Sequence, residues 1–282
     1  MLSLRLAQET PRTALSPRPA KTAEYPRMLT TLLNLDCAFN NNWKNNRTVF
    51  ISFPKSGRTW MRYVFHLIGL DVTFDHGFKS DNIYLDFGEE FPGVKKDIVG
   101  RRNIFMYRNA LDTAVSFYFQ VHEIELTPFR ENYLETIEYL RGLDALPPQD
   151  IDSFVLHPSW GVERICKFNR AWLDFGKKRN NFFILTYEEA RSNTKASLER
   201  MLAYLGVKGV DLDDVVEKSS FQNMRAKEKE GRDDQLRLHG PAAGSDNALK
   251  VRRGKVSGYH DDLKEETIAK AREIGRKYGF EL

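Results

Sequence analysis

The chain is short of sulfur for cross-linking, of long apolar runs and of charge imbalance. Its two cysteines, Cys37 and Cys166, lie far apart and form no CxxC or Cys/His spacing. Neither a disulfide framework nor a zinc site is therefore expected, and a reduced, cytoplasmic setting is the simplest reading. No stretch approaches the roughly 18–20 apolar residues of a membrane helix, and no short apolar core follows the N-terminal basic residues as a secretory signal requires. Lys plus Arg number 43 against 39 Asp plus Glu. That balance is too even to argue for a nucleic-acid partner unless the cations cluster. The sequence also lacks an internal repeat at solenoid periods and a long low-complexity tract.

What is present suffices for one sizeable core: 282 residues, 41% hydrophobic and 12% aromatic. Residues 1–27 combine Arg5, Arg12, Arg18, Lys21 and Arg27 with Ser, Thr and Pro. This composition fits a disordered tail in preference to an organelle transit peptide. With a boundary near Thr30, the expected organisation is a tail over 1–29 and a single domain over 30–282. Short apolar runs at 48–53, 103–107 and 181–185 alternate with helical patterns at 58–68, 111–121, 162–175 and 194–205, the last stopped by Gly206. Such alternation predicts an α/β fold, a central parallel sheet flanked by helices. Residues 71–100 and 226–249 break the pattern and are expected to be surface loops.

Phe53-Pro54-Lys55-Ser56-Gly57-Arg58-Thr59-Trp60 stands directly between the first strand and the first helix. A glycine-bearing turn at a helix N-terminus aims unpaired N–H groups and the positive end of the helix dipole at one point, where an anion is stabilised. Lys55 adds a full charge. The Walker pattern GxxxxGK[ST] is absent, since Lys55 precedes Gly57 and Arg58 follows it, which argues against a P-loop phosphotransferase. Two further motifs follow. Tyr107-Arg108-Asn109-Ala110-Leu111-Asp112-Thr113-Ala114-Val115-Ser116 succeeds the second strand, and Lys250-Val251-Arg252-Arg253-Gly254-Lys255-Val256-Ser257-Gly258-Tyr259 gathers the clustered charge near the C-terminal end.

Together these segments resemble the family of sulfotransferases that use 3'-phosphoadenosine-5'-phosphosulfate (PAPS). The first is similar to that family's PKSGTTW-like 5'-phosphosulfate loop, with Arg58 in place of a threonine. The second is similar to its RNxxDxxVS motif, and the third to its RKGxxG motif, with Arg253 for the lysine and one extra residue before Gly258. Ser219-Ser220-Phe221-Gln222-Asn223-Met224 resembles the TSFxxM segment, and Leu185-Thr186-Tyr187-Glu188-Glu189 the strand-end YED segment. The resemblance spans about 48–259. It implies a P-loop-like phosphosulfate loop in which Lys55, Ser56, Gly57, Arg58 and Thr59 hold the 5' end of the donor. It also implies a 3'-phosphate site from Arg108, Ser116, Arg252, Arg253 and Gly254, an adenine site from Trp60, Tyr187 and Phe221, and further cofactor-binding positions at Ser219 and Met224. Asp112 is expected to cap or brace its turn and Glu188 to sit at a helix N-terminus.

On this reading Lys55 stabilises negative charge on the departing 5'-phosphate, and the chemistry needs no metal. A hydroxyl acceptor, or less readily an amine, must lose a proton. His76, in Phe74-Asp75-His76-Gly77 between the two nucleotide motifs, is the expected base. His122 is its main rival, with Asp75 or Glu123 as carboxylate alternatives, while His66 is read as packing. Phe78, Tyr84, Phe87, Phe129, Tyr133 and Tyr139 are available to line an acceptor pocket for a small molecule, a glycan or a lipid headgroup. A non-catalytic binder of adenosine bisphosphate or a polyanion would keep Arg108 and Arg252 but need neither Lys55 nor His76. Oligomeric state leaves no signature.

Overall fold

Thr48–Ile51 (β1) reads TVFI and is buried from Val49 onward, as suits a strand covered by helices on both faces. In this computed structural model, which describes residues 48–77, 98, 100–125, 133–233, 238–239 and 249–282, β1 leads into α1 (Arg58–Ile68) and β2 (Val72–Asp75). Then come β3 (Asn103–Tyr107) and α2 (Ala110–Gln120), which runs on into a π-helical turn at Val121–Glu125. α3 (Tyr133–Gly142), α4 (Ile151–Leu156) and α5 (Val162–Gly176) precede β4 (Phe182–Thr186). After it lie α6 (Tyr187–Ser192), α7 (Thr194–Leu205), α8 (Leu212–Lys218) and α9 (Phe221–Glu230). The short strands β5 (Arg232–Asp233) and β6 (Leu238–His239), a 3₁₀ turn at Gly258–Asp261 and α10 (Glu265–Lys277) complete the described chain.

β1 to β4 form one sheet in the order β2-β1-β3-β4, with every neighbouring pair parallel. β2 and β3 flank β1 on opposite sides, so the segments leaving β1 and β3 diverge. A crevice opens beyond the carboxyl ends of these two strands, the place where open α/β sheets bind ligands. Alternation along each strand divides the core. Val49, Ile51 and Phe105 pack with buried residues of α2, α4, α5 and α10. Phe50, Ile104 and Met106 pack with α1, α6, α7, Val215 of α8 and Met224 of α9.

The expected parallel α/β architecture is what the chain adopts, and Gly206 ends α7 with its N–H returned to Ala203 and Leu202. Three expectations are corrected. Residues 71–100 are not irregular throughout, because Val72–Asp75 adds an edge strand to β1. Its four residues are all only half-buried, too short and too weakly patterned to stand out. Residues 226–249 are not loop from the start, since α9 continues to Glu230. That helix buries only Met224 and Glu228, so it presents no apolar stripe to read. His66 is exposed on α1 rather than packed, lying against the Tyr63 ring. The expected tail over 1–29, Cys37, and the acceptor candidates Phe78, Tyr84, Phe87 and Phe129 lie outside the described residues.

Candidate functional site

The turn after β1 is shaped by local strain. Lys55 has φ 68 and Gly57 φ 95, left-handed conformations that glycine adopts freely and lysine at a cost. A side chain at Gly57 would also meet the Tyr187 ring at 2.8 Å, so glycine is required twice over. Gly57 is the N-cap of α1 but offers no side-chain hydrogen bond, and the first turn of α1 holds no acid. The neighbouring α2, α6 and α9 are all capped, by Asn109, Thr186 and Ser220. The N-terminus of α1 is thus left to attract an anion from outside the chain.

Cations converge on this turn. Arg108, at the end of β3, donates from Nη1 to Lys55 O at 3.3 Å and from Nη2 to Lys255 O at 3.0 Å. It thereby ties the first loop to the last, while its guanidinium lies 4.5 Å from the Tyr187 ring centre. Lys55 Nζ approaches Gln120 Oε1 at 3.4 Å, and Lys250 Nζ donates to the same oxygen at 2.8 Å. Burial foremost, then Lys250, Arg252 and Arg108 against an opposing pull from Glu228, bring Lys55 down from 10.5 to about 7. Arg252 is pushed below its ordinary value by burial and by Arg253 and Arg108, with Asp262 opposing. The cations gathered here exceed the carboxylates of Asp112, Glu228 and Asp262 set against them, an excess that suits a multiply charged anion.

The C-terminal loop has no regular structure before Gly258; besides side-chain ion pairs to Asp261 and Asp262, two buried carboxylates hold its backbone. Asp112, buried on α2, accepts from Ser257 N at 2.8 Å and Tyr259 N at 3.1 Å, with Arg108 at 3.4 Å. It therefore braces rather than caps, the cap being Asn109. Glu228, fully buried on α9, accepts from the N–H groups of Lys250 and Val251, each at 2.8 Å. Gly254 sits on the Phe221 ring so closely that a Cβ there would lie 2.3 Å from it. Of the paired arginines, Arg252 is enclosed, stacked over Phe119 at 4.2 Å. Arg253 is exposed and bonded to Asp262 at 2.9 Å. Glu188, in the first turn of α6, accepts from Asn109 N at 2.9 Å.

The aromatic candidates gather behind this loop. Trp60 and Tyr187 meet edge to face at 5.9 Å, Arg191 lies 5.6 Å from the Trp60 ring centre, and Met224 is buried in the same cluster. A cleft of about 640 Å³ lined by Glu188, Glu189, Arg191, Ser192 and 254–256 opens alongside. Thr59 and Ser116 are half-buried, on α1 and α2. The buried Ser56 Oγ, Ser219 Oγ, Arg108 Nε and Arg252 Nη1 make no hydrogen bond to described residues. Such atoms call for a partner. They fit the phosphates and sugar of an adenosine 3'-phosphate 5'-phosphosulfate.

Of the histidines, His76 reaches the crevice from the end of β2. Its Nδ1 is 3.1 Å from Ser52 O and its Nε2 2.6 Å from Arg58 Nη1. With Nδ1–H donating to the carbonyl, Nε2 is the acceptor and faces the helix N-terminus. His122 is held elsewhere, with Nε2 3.0 Å from Pro148 O, packed against Tyr118 and Phe154 and depressed chiefly by burial. Asp75 is engaged by Gly77 N at 2.6 Å. Tyr133 and Tyr139 stand on α3. Sequence reading passed over Gln120, Lys250 as a separate actor, and Glu228. The spacing of Asp112, Ser116 and Gln120, four apart on one helix, was the available signal for the first.

Residues 101–278 match the family model described as the sulfotransferase domain, a match that begins after the Lys55 turn. Among curated proteins, a 3-alpha-hydroxysteroid sulfotransferase of Cavia porcellus is 24% identical over 266 residues, 83% of each chain. Sulfotransferase 1E1 of Bos taurus is 24% identical over 63% of this chain and 65% of its own length. Among solved structures, mouse sulfotransferase SULT7A1 complexed with PAP aligns with a TM-score of 0.56 at 17% identity over 83% of both chains. Retinol dehydratase in complex with androsterone and inactive cofactor PAP aligns at 0.52 and 16% identity, over 82% of this chain and 80% of its own.

Proposed function

The chain belongs to the sulfotransferase family, and from that footing we propose that it moves a sulfuryl group from PAPS to the hydroxyl of a small organic acceptor. The observation that carries the reading is the meeting of Lys55, Arg108 and Arg252 around an uncapped helix N-terminus, with buried donors that find no partner among the described residues. PAPS, when bound, supplies an activated sulfuryl group on its 5'-phosphate. Lys55 and the N–H groups of α1 face that end. Arg108, Ser116, Arg252 and Gly254 take the 3'-phosphate, with Arg253 joining if it leaves Asp262. Trp60, Tyr187, Ser219, Phe221 and Met224 frame the adenosine.

His76 Nε2 takes the acceptor proton as the acceptor oxygen bonds to sulfur. The bond from sulfur to the bridging oxygen breaks, and its electron pair stays on the 5'-phosphate, where Lys55 and the helix dipole stabilise it. Arg58 must first turn from His76 toward the anion. A guanidinium is drawn to sulfate or phosphate more strongly than to a neutral imidazole. Because protein cations supply the charge, activity is expected to survive a chelator. No helix among the described residues is long and apolar enough to cross a membrane, and we place the enzyme in the cytoplasm with 30–282 as its catalytic domain. We rank small alcohols first among acceptors, ahead of glycans and lipid headgroups, a choice supported by relatives named for hydroxysteroids.

Calorimetric titration with adenosine 3',5'-bisphosphate and 5'-AMP tests the donor site without the acceptor. Preference for the bisphosphate of about ten-fold or more, erased by Arg108→Ala, is expected. Equal affinity for the two would refute the reading. Transfer of labelled sulfate from PAPS to a panel of phenols and alcohols, with and without EDTA, then tests the chemistry.

A further inference from the structure

The cation at the head of the C-terminal loop, Lys250, meets the Lys55 turn through Gln120, whereas Arg252 lies over Phe119 and Arg253 is bonded to Asp262. Asp112, Ser116 and Gln120 lie four residues apart and so share a face of α2, advancing about 6 Å at each step. At one end Asp112 holds the backbone of Ser257 and Tyr259. At the other Gln120 Oε1 gathers the ammonium groups of Lys250 and Lys55, at 2.8 and 3.4 Å. The loop therefore runs along α2, delivering Lys250 to the Lys55 turn. Its root is firm, because buried Glu228 binds the N–H groups of both Lys250 and Val251.

When both lysines are charged, two ammonium groups sharing one neutral amide oxygen repel each other. The arrangement gains when an anion of two or more charges enters between them.

We propose that Lys250 is a second catalytic cation, contacting the 5'-phosphosulfate beside Lys55, with Gln120 gathering the pair until the anion arrives. This rests on the donor site proposed above. As the bond from sulfur to the bridging oxygen breaks, the electron pair remains on the 5'-phosphate and its charge rises by one. Lys250 meets that added charge without giving up a proton.

The test separates the two phosphates. Lys250→Met, Lys250→Arg and wild type are titrated calorimetrically with 5'-AMP, 3'-AMP and adenosine 3',5'-bisphosphate. Lys250→Met should weaken 5'-AMP and the bisphosphate about ten-fold and leave 3'-AMP unchanged, and Lys250→Arg should recover most of the loss. Gln120→Glu offers an independent arm. Its carboxylate competes for both lysines and should weaken 5'-AMP but not 3'-AMP. Loss confined to 3'-AMP would move Lys250 to the other phosphate, and unchanged affinity for all three would make it a spectator. Either result overturns the proposal. Wild-type protein with no preference for the bisphosphate would instead sink the donor site itself, and the proposal with it, before any variant is made.

Discussion

The two loops that meet at Arg108 are built on opposite plans. The turn at 53–60 closes on itself: Ser56 N returns to Phe53 O, Met61 N to Gly57 O, and left-handed φ angles at Lys55 and Gly57 aim the helix N-terminus. The loop at 250–259 has no regular structure until Gly258 and is held by Asp112 and Glu228, carboxylates from far away in sequence. The first pays for its anion site in backbone strain. The second depends on buried charges that must stay hydrogen-bonded. A lesion in the first should therefore strike chemistry while sparing order, and a lesion in the second should strike order first.

The largest effect expected is from Lys55→Met. Loss of one preorganised group at the developing charge should lower sulfuryl transfer about 10²- to 10³-fold, while the melting temperature holds or rises because a desolvated cation has gone. A fall in both would erase the contrast between the loops.

Asp112→Ala should reverse that pattern. It strands two backbone N–H groups, Tyr259 N among them. Stability should drop by roughly 2–4 kcal/mol in denaturant titrations, and bisphosphate binding by about ten- to a hundred-fold. Retained stability with lost binding would mean that Asp112 acts on ligand rather than on the loop.

The smallest effect concerns protons. Lys55, depressed to about 7, loses its charge as pH rises through neutrality, so the nucleotide-free protein is mostly uncharged there at pH 8. An arriving anion favours the charged form and raises the pKa, so binding at pH 8 should take up as much as about one proton per nucleotide. Bisphosphate affinity should accordingly decline between about pH 7 and 9. Calorimetry in two buffers of different ionisation enthalpy measures the uptake, which Lys55→Met should abolish. Absence of uptake in wild type would show that the ammonium is charged and well solvated.

Much of the fold was legible because the buried strands and their helices are strongly patterned: α1, β3 and α7 begin and end where the apolar runs and Gly206 place them. β2 and α9 were not, for a shared reason. Each is stabilised by what it touches rather than by its own sequence, β2 by pairing along β1 and α9 by the Ser220 cap and the anchorage of Glu228. In the site, Lys55 and Arg108 were named in advance because each stands in a contiguous strand-turn-helix segment that resembles a sulfotransferase motif. Gln120 was missed because its only signal was its place four residues beyond Ser116 on the same helix face, which says nothing of the lysines it meets.

The sequence by itself determined the parallel α/β class, since apolar runs alternating with helical patterns carry it, while the anion-seeking turn and the cations at 108 and 252 stood out through their resemblance to the sulfotransferase motifs. Only the tertiary structure decided that His76 is met by Arg58, that Arg253 turns to Asp262, and that Lys250 reaches Lys55 through Gln120. Those pairings join segments 18 to 130 residues apart, or choose between neighbours on one loop. Distances of that kind are set by how helices and loops pack around the sheet, which no local pattern records.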